Sequence, residues 1–165
     1  GTHPPQTQAT ARISNSSPVR LWSDAVTLML KNLPWYYTQD MLMSTMLACS
    51  FEGLFDFLYV PCDANRGCNL GYAIVNFTEP EYAMRFQAAM ANRFLDEEMM
   101  RTGQRLVVEP ADVQGYEANY GRLALNWEGQ PPLSRSQLSS EIQMTGFLDI
   151  EEAGASAAVQ LGHFQ

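Results

Sequence analysis

Positive charge is in short supply. The 165 residues hold 10 Lys and Arg against 18 Asp and Glu, for a formal charge of −8. Basic side chains that neutralise phosphates supply nearly all non-specific affinity for nucleic acid, so general adhesion to a polyanion is excluded. Nucleic-acid binding is then either local and selective or absent. Histidine is absent between His3 and His163, which removes the commonest general base and metal ligand from the middle of the chain. The three cysteines, Cys49, Cys62 and Cys68, cannot complete a four-ligand zinc site without a nearby histidine. The expectation is no metal, no cofactor and reduced thiols of an intracellular protein, in the nucleus or the cytoplasm. No apolar run reaches the ~18 residues of a membrane span, and no Gly-rich loop with its lysine is available to cradle phosphate. The run Asp96-Glu97-Glu98 is expected in a loop as a solvated charge cluster. An enzyme is therefore not expected.

The charge is uneven. Residues 1–23 carry +2, residues 24–125 carry −6 and residues 126–165 carry −4. Residues 1–23, rich in Pro, Thr, Gln and Ser, read as a flexible leader. Residues 24–125 hold the hydrophobic periodicity of one folded domain, and residues 126–165 read as an acidic, mostly disordered tail with a weakly amphipathic piece over 138–150. At 46% hydrophobic residues a domain of about a hundred residues has ample material for a core.

Within that domain Val26–Lys31 alternates as a first strand. Thr38 can cap a helix whose apolar positions are Met41, Leu42, Met46 and Leu47. Leu54–Val60 is a second strand, in which period two puts Phe55, Phe57 and Tyr59 on one face and Leu54, Asp56, Leu58 and Val60 on the other. Because the Asp56 carboxylate would be costly to bury, the aromatic trio is expected in the core. Turn residues 63–67 lead to a third strand, Gly71–Phe77. Thr78-Glu79-Pro80-Glu81 reads as a capping box for a helix ending near Asn92. Arg105–Glu109 fits a fourth strand, and Gly115–Leu125 one more helix that frames or covers the sheet. The order β-α-β-β-α-β predicts an α+β, ferredoxin-like sandwich: a four-stranded antiparallel sheet with two helices on one face.

Two strings in this pattern carry chemistry. The hexamer Leu28-Met29-Leu30-Lys31-Asn32-Leu33 and the octamer Leu70-Gly71-Tyr72-Ala73-Ile74-Val75-Asn76-Phe77 resemble, in order and spacing, the paired signatures of an RNA-recognition motif. Met29 and Ile74 stand where that motif stacks bases on aromatics, and Leu70 stands where it has a basic residue. Each stacked base is worth roughly 1–3 kcal/mol. The resemblance implies single-stranded RNA on the sheet face of a monomer that stays off membranes. Tyr72 would stack a base, with Met29, Ile74 and Leu58 as apolar neighbours. Lys31, Asn32 and Asn76 would make hydrogen-bond or phosphate contacts, and Arg66 would clamp the strand from a loop. The alternative is a protein-binding version of the motif, whose acidic, aromatic-poor surface receives a peptide with a basic or aromatic anchor.

The strings Thr27–Pro34, Tyr37-Thr38-Gln39, Phe51–Pro61 and Cys68–Phe77 resemble more narrowly the C-terminal RNA-recognition motif of the Mei-two-like family, regulators of meiosis and of plant development. A fainter similarity returns at Ala111-Asp112-Val113-Gln114-Gly115. Met29 is usual in that family. Ile74, Trp35-Tyr36, Asp96-Glu97-Glu98 and Asp112 depart from its pattern, and each removes a stacking plane or a phosphate contact. The resemblance implies a post-transcriptional regulator.

Overall fold

From Leu28 on, Thr27–Lys31 (β1) alternates: Leu28 and Leu30 are fully buried, Met29 is half-buried and Lys31 exposed, while Thr27 at its start is buried as well. A strand with one wet and one dry side specifies its register strongly, and β1 takes an inner place in the sheet. The computed structural model describes residues 22–123 and 126–139. The leader expected over 1–23, Trp22 and Ser23 apart, and the tail beyond 139 lie outside the described residues.

A 3-10 turn, Trp22–Asp24, precedes β1, and after it come Gln39–Ala48 (α1), Phe55–Tyr59 (β2), Cys62–Asp63 (β3), Cys68–Asn69 (β4), Tyr72–Phe77 (β5), Pro80–Met90 (α2), Glu97–Thr102 (α3), Val107–Pro110 (β6) and Tyr116–Leu123 (α4). The antiparallel sheet runs β2-β5-β1-β6, and β3 and β4 form a separate hairpin. Met29 pairs with Ile74 and Lys31 with Tyr72 across β1 and β5. Leu42 and Met46 of α1 and Ala83, Phe86 and Met90 of α2 cover the inner face over Leu28, Leu30, Val75 and Phe77. The expected ferredoxin-like α+β architecture is present, with both principal helices on one side.

Caps follow the sequence in one helix and not in the other. Thr38 Oγ1 accepts from the Met41 amide at 3.1 Å, as its residue type predicts. At α2 the expected capping box does not form: Glu79 is the cap residue, makes no side-chain cap bond, and Thr78 Oγ1 donates instead to the Leu54 carbonyl. Pro80 in the first turn, where a missing amide costs nothing, starts the helix.

Two further expectations are corrected. Asp96-Glu97-Glu98 is not a loop. Asp96 caps α3, accepting from the Met99 amide at 2.9 Å, and Glu97 and Glu98 fill its first turn, where negative charge complements the helix dipole. Nor do residues 126–139 form a loose acidic tail. They run along the free edge of β2, where Leu58 donates to the Leu133 carbonyl at 3.1 Å and Leu133 returns a bond of 2.9 Å. Leu133 and Leu138 join the core. Gly129 allows the close approach: with φ +83° it lies where a Cβ would sit 2.7 Å from Cys62 Cβ. An edge strand covered in this way no longer offers unpaired backbone groups to another chain.

Candidate nucleic-acid interface

The outer sheet face is set by a bulge. Phe55 pairs with Phe77, but Phe57 pairs with Asn76, so Asp56 is an extra residue and the alternation of β2 inverts after it. Phe55 and Leu58 therefore face the core, while Phe57 and Tyr59 turn to the outer face beside Asn76 and Ile74. This corrects the expectation that the aromatic trio is core. It also removes Leu58 from the RNA-facing set, since Leu58 lies opposite Val75 on the inner side, fully buried.

Phe57 and Tyr59 are nevertheless 0% and 3% exposed, because α4 and the segment 126–139, together an arm, lie across the β2 side of this face. Phe57 meets the Tyr116 ring edge-on at 6.4 Å, Tyr116 stacks on Tyr120, and the Arg135 guanidinium sits 3.8 Å from the Tyr116 centroid. The Glu128 amide donates to the Tyr59 hydroxyl at 2.7 Å, and burial pushes the Tyr59 phenol above its ordinary pKa.

A polar relay fastens the arm. Gly115 N–H donates to Thr27 Oγ1 at 2.8 Å, and that hydroxyl donates to Asn76 Oδ1 at 2.6 Å. Asn76 Nδ2 donates to Asp56 Oδ1 at 2.7 Å, and Arg135 Nε and Nη2 donate to Asp56 Oδ2 at 3.1 and 3.0 Å. Asp56 and Asn76 are buried with their polar atoms paired, as burial demands. Asn76 is thus committed inside the protein and is not available to RNA, a second correction to the candidate set. Gln114 works beside it: Oε1 accepts from the amides of Val26 and Thr27 while Nε2 donates to the carbonyls of Thr27 and Ala111. Gln114 and Gly115 are therefore structural residues that anchor α4.

On the β1–β5 side the face stays open. A cleft of about 150 Å³ is lined by Met29, Tyr72 and Ile74 from the sheet and by Asn119, Arg122 and Leu123 from α4. Asp112 also lines it and brings one negative charge beside the one positive charge, that of Arg122, which makes no ion pair among the described residues. Arg122 was missed in the sequence, where it is one arginine on a possible helix, and only the placement of α4 reveals it.

The other predicted contacts fall outside the cleft. Lys31 pairs with Glu109 across β1 and β6, which offsets its charge. Asn32 ends β1 in the left-handed region at φ +61° and donates to the Arg105 carbonyl at 3.1 Å. Arg66 sits on the loop between β3 and β4 and faces Asp63 at 3.8 Å.

At one end of the sheet Trp35 is 70% exposed, and its neighbour Tyr36 donates its hydroxyl to Asp96 Oδ2. That hydrogen bond, with burial and the carboxylate charge adding to it, pushes the Tyr36 phenol up to about 12. The expected result of an ultraviolet tyrosinate titration is therefore a phenol, in addition to the raised Tyr59, that stays protonated well above pH 10. Asp96→Ala should bring it back into the ordinary range, and an unchanged titration would mean the bond is not kept in solution.

Residues 25–123 match the RNA recognition motif 2 family. Among curated proteins, the rice protein MEI2-like 5 is 43% identical over 67 residues, 41% of this chain and 8% of that protein. MEI2-like 1 of Arabidopsis thaliana is 47% identical over 60 residues, 36% of this chain and 6% of its own. The chain thus spans less than a tenth of the length of these relatives. Among solved structures, the Sex-lethal RNA recognition domains of Drosophila melanogaster superpose with a TM-score of 0.43 at 23% identity, covering 52% of this chain and 49% of that one.

Proposed function

The chain belongs to the RNA recognition motif 2 family, as a Mei2-like RNA-binding module, and we propose that it binds single-stranded RNA through the half of its sheet that the arm leaves open. The observation that carries this reading is the cleft in which Tyr72, Met29 and Ile74 lie beside the unpaired Arg122. Tyr72 stacks one base, Met29 and Ile74 supply flat apolar contact, and Arg122 meets a phosphate. In this reading the module serves a longer intracellular regulator that acts on RNA after transcription.

The electrostatics make the binding shallow in salt. Each neutralised phosphate contributes a slope of about −0.7 in log affinity against log salt for single strands. With Arg122 as the one cation lining the cleft among the described residues, a slope near that of a single phosphate is expected. Selection from a randomised RNA pool at two salt concentrations measures this directly. Tyr72→Ala should weaken binding by roughly 1–3 kcal/mol while the fold is kept, since stacking on one aromatic is worth that much. A folded Tyr72→Ala protein with undiminished affinity would sink the proposal.

A peptide-binding role is the second reading, favoured by one place. Trp35, Tyr36 and Met99 line a cavity of about 270 Å³ beside Glu98, where an apolar anchor with a basic neighbour would fit. It gains support if the RNA pool yields nothing at low salt.

A further inference from the structure

Helix α4 lines a second cleft on its other side. Tyr120 of α4, Phe57 of β2, Trp127 and Pro131 of the arm, and the polar Ser134 and Gln137 enclose about 210 Å³. Tyr120 and Trp127 are 45% and 44% exposed, unusual for rings of this size. Gln137 Oε1 accepts from the Ser134 amide at 3.0 Å, and its Nε2 group donates no bond among the described residues. The Ser134 hydroxyl donates to the same Gln137 oxygen at 3.3 Å, so a flat, apolar-faced group with hydrogen-bonding edges suits the cleft through rings that hold its face and the Gln137 amide nitrogen that reads its edge.

We propose that this cleft is a second nucleobase site, built on the arm rather than on the sheet, and that one RNA strand crosses α4 to fill both clefts. This rests on the RNA-binding reading of the Tyr72 cleft. Continuity and charge argue for RNA as the occupant. Successive side chains on a helix turn by about 100°, so Tyr120 and Arg122, two positions apart, project about 160° from one another, Tyr120 lining this cleft and Arg122 the Tyr72 cleft. Arg122 therefore stands at the Tyr72 end of the path across α4, exposed and without an ion pair among the described residues, where a phosphate would pass. The arrangement also explains how a sheet that has one aromatic where others carry three could hold RNA, since the stacking planes are moved to the covering element.

The test uses the full chain and two polyuridine ladders, dinucleotide and decanucleotide, with the pool-selected RNA as a third probe. Trp127→Ala should weaken the decanucleotide and the selected RNA roughly 5- to 150-fold, the range of one lost stacking contact, and leave the dinucleotide unchanged. A dinucleotide cannot reach across a helix about 10–12 Å wide while seated at Tyr72. Trp127→Phe should restore most of the affinity. Thermal melts check that Trp127→Ala is folded; if it is not, Tyr120→Ala serves as the second variant, with crosslinking of 4-thiouridine RNA to residues 120 and 127 of the unaltered protein as a readout that needs no mutation. If Tyr72→Ala weakens binding while Trp127→Ala and Tyr120→Ala do not and no crosslink appears at the arm, the second site is overturned and the first stands. Loss at Trp127 with none at Tyr72 overturns the first reading and keeps RNA on the arm. No binding of any RNA, or Trp127-dependent binding of a proline-rich peptide alone, overturns both.

Discussion

Phe86→Ala is expected to cost about 3–5 kcal/mol of folding stability in a denaturant titration, the range for deleting a buried ring. The Phe86 side chain is fully buried, and its ring lies 5.2 Å from both Phe51 and Phe77. It is thus the place where α2 meets β5 and the loop that follows α1. Removing it leaves a cavity bordered by two other aromatics whose ring-to-ring contacts go with it, each worth about 0.5–1.5 kcal/mol beyond area burial. Against a total stability of about 5–15 kcal/mol for a domain of this kind, the variant should sit near its unfolding threshold at room temperature. Met84→Ala, on the same helix but 47% exposed, should stay within about 0.5 kcal/mol of the unaltered protein. Equal effects at the two positions would mean that α2 presents a different face to the sheet.

The contrast between those two residues shows what could be read in advance. Strands β1 and β5 alternate between a dry inner face and a partly wet outer one, so the pattern revealed their existence, and the resemblance to the paired signatures put Met29, Tyr72 and Ile74 on one surface. Strand β2 defeated the same argument. Its five residues are all buried, so polarity carried no side information, and the bulge at Asp56 reversed the alternation at the one residue taken as evidence of an exposed face. Contrary to that expectation the carboxylate is buried, and Asn76 and Arg135 supply its partners. Arg135 lies 79 positions away in sequence, a separation that no local pattern spans.

The helix of the arm was expected over 115–125, but its second part, residues 126–139, was missed for a related reason. Residues 128–136 carry Gly, Pro and Ser, the composition of a loop, and their hold on the domain is through backbone bonds to β2 and through Leu133 and Leu138 singly. Neither produces a periodic signal. Helix α3 is six residues long with Met99 as its one buried side chain, too short to show a hydrophobic period. In the site itself the same limit applies: side chains fixed by strand alternation could be assigned, whereas Arg122, Tyr120 and Trp127 depend on where α4 and the arm dock. Asn76 looked like a contact residue because polar groups on a sheet face usually meet solvent, and only the relay from Thr27 to Arg135 shows why this one does not.

Phe57→Ala separates the arm-covered face from an open one. On an open sheet an outward phenylalanine is partly solvated, and its truncation would cost about 1 kcal/mol or less. Here Phe57 is 0% exposed beneath Tyr116 and the arm, so a loss of about 3–5 kcal/mol is expected, as large as for a residue of the inner core. The origin of that loss can be located by a double-mutant cycle with Tyr116→Ala. The edge-to-face pair should appear as a coupling of about 0.5–1.5 kcal/mol, with the remainder arising from apolar area that the arm covers. Hydrogen exchange should report the same event from the other side, since loosening the arm leaves the Leu133 amide less protected while the amides of β1, held between two strands, change little. A cost below about 1 kcal/mol with no coupling to Tyr116 would mean that the arm does not rest on the sheet in solution, and that the outer face is open from β2 to β6.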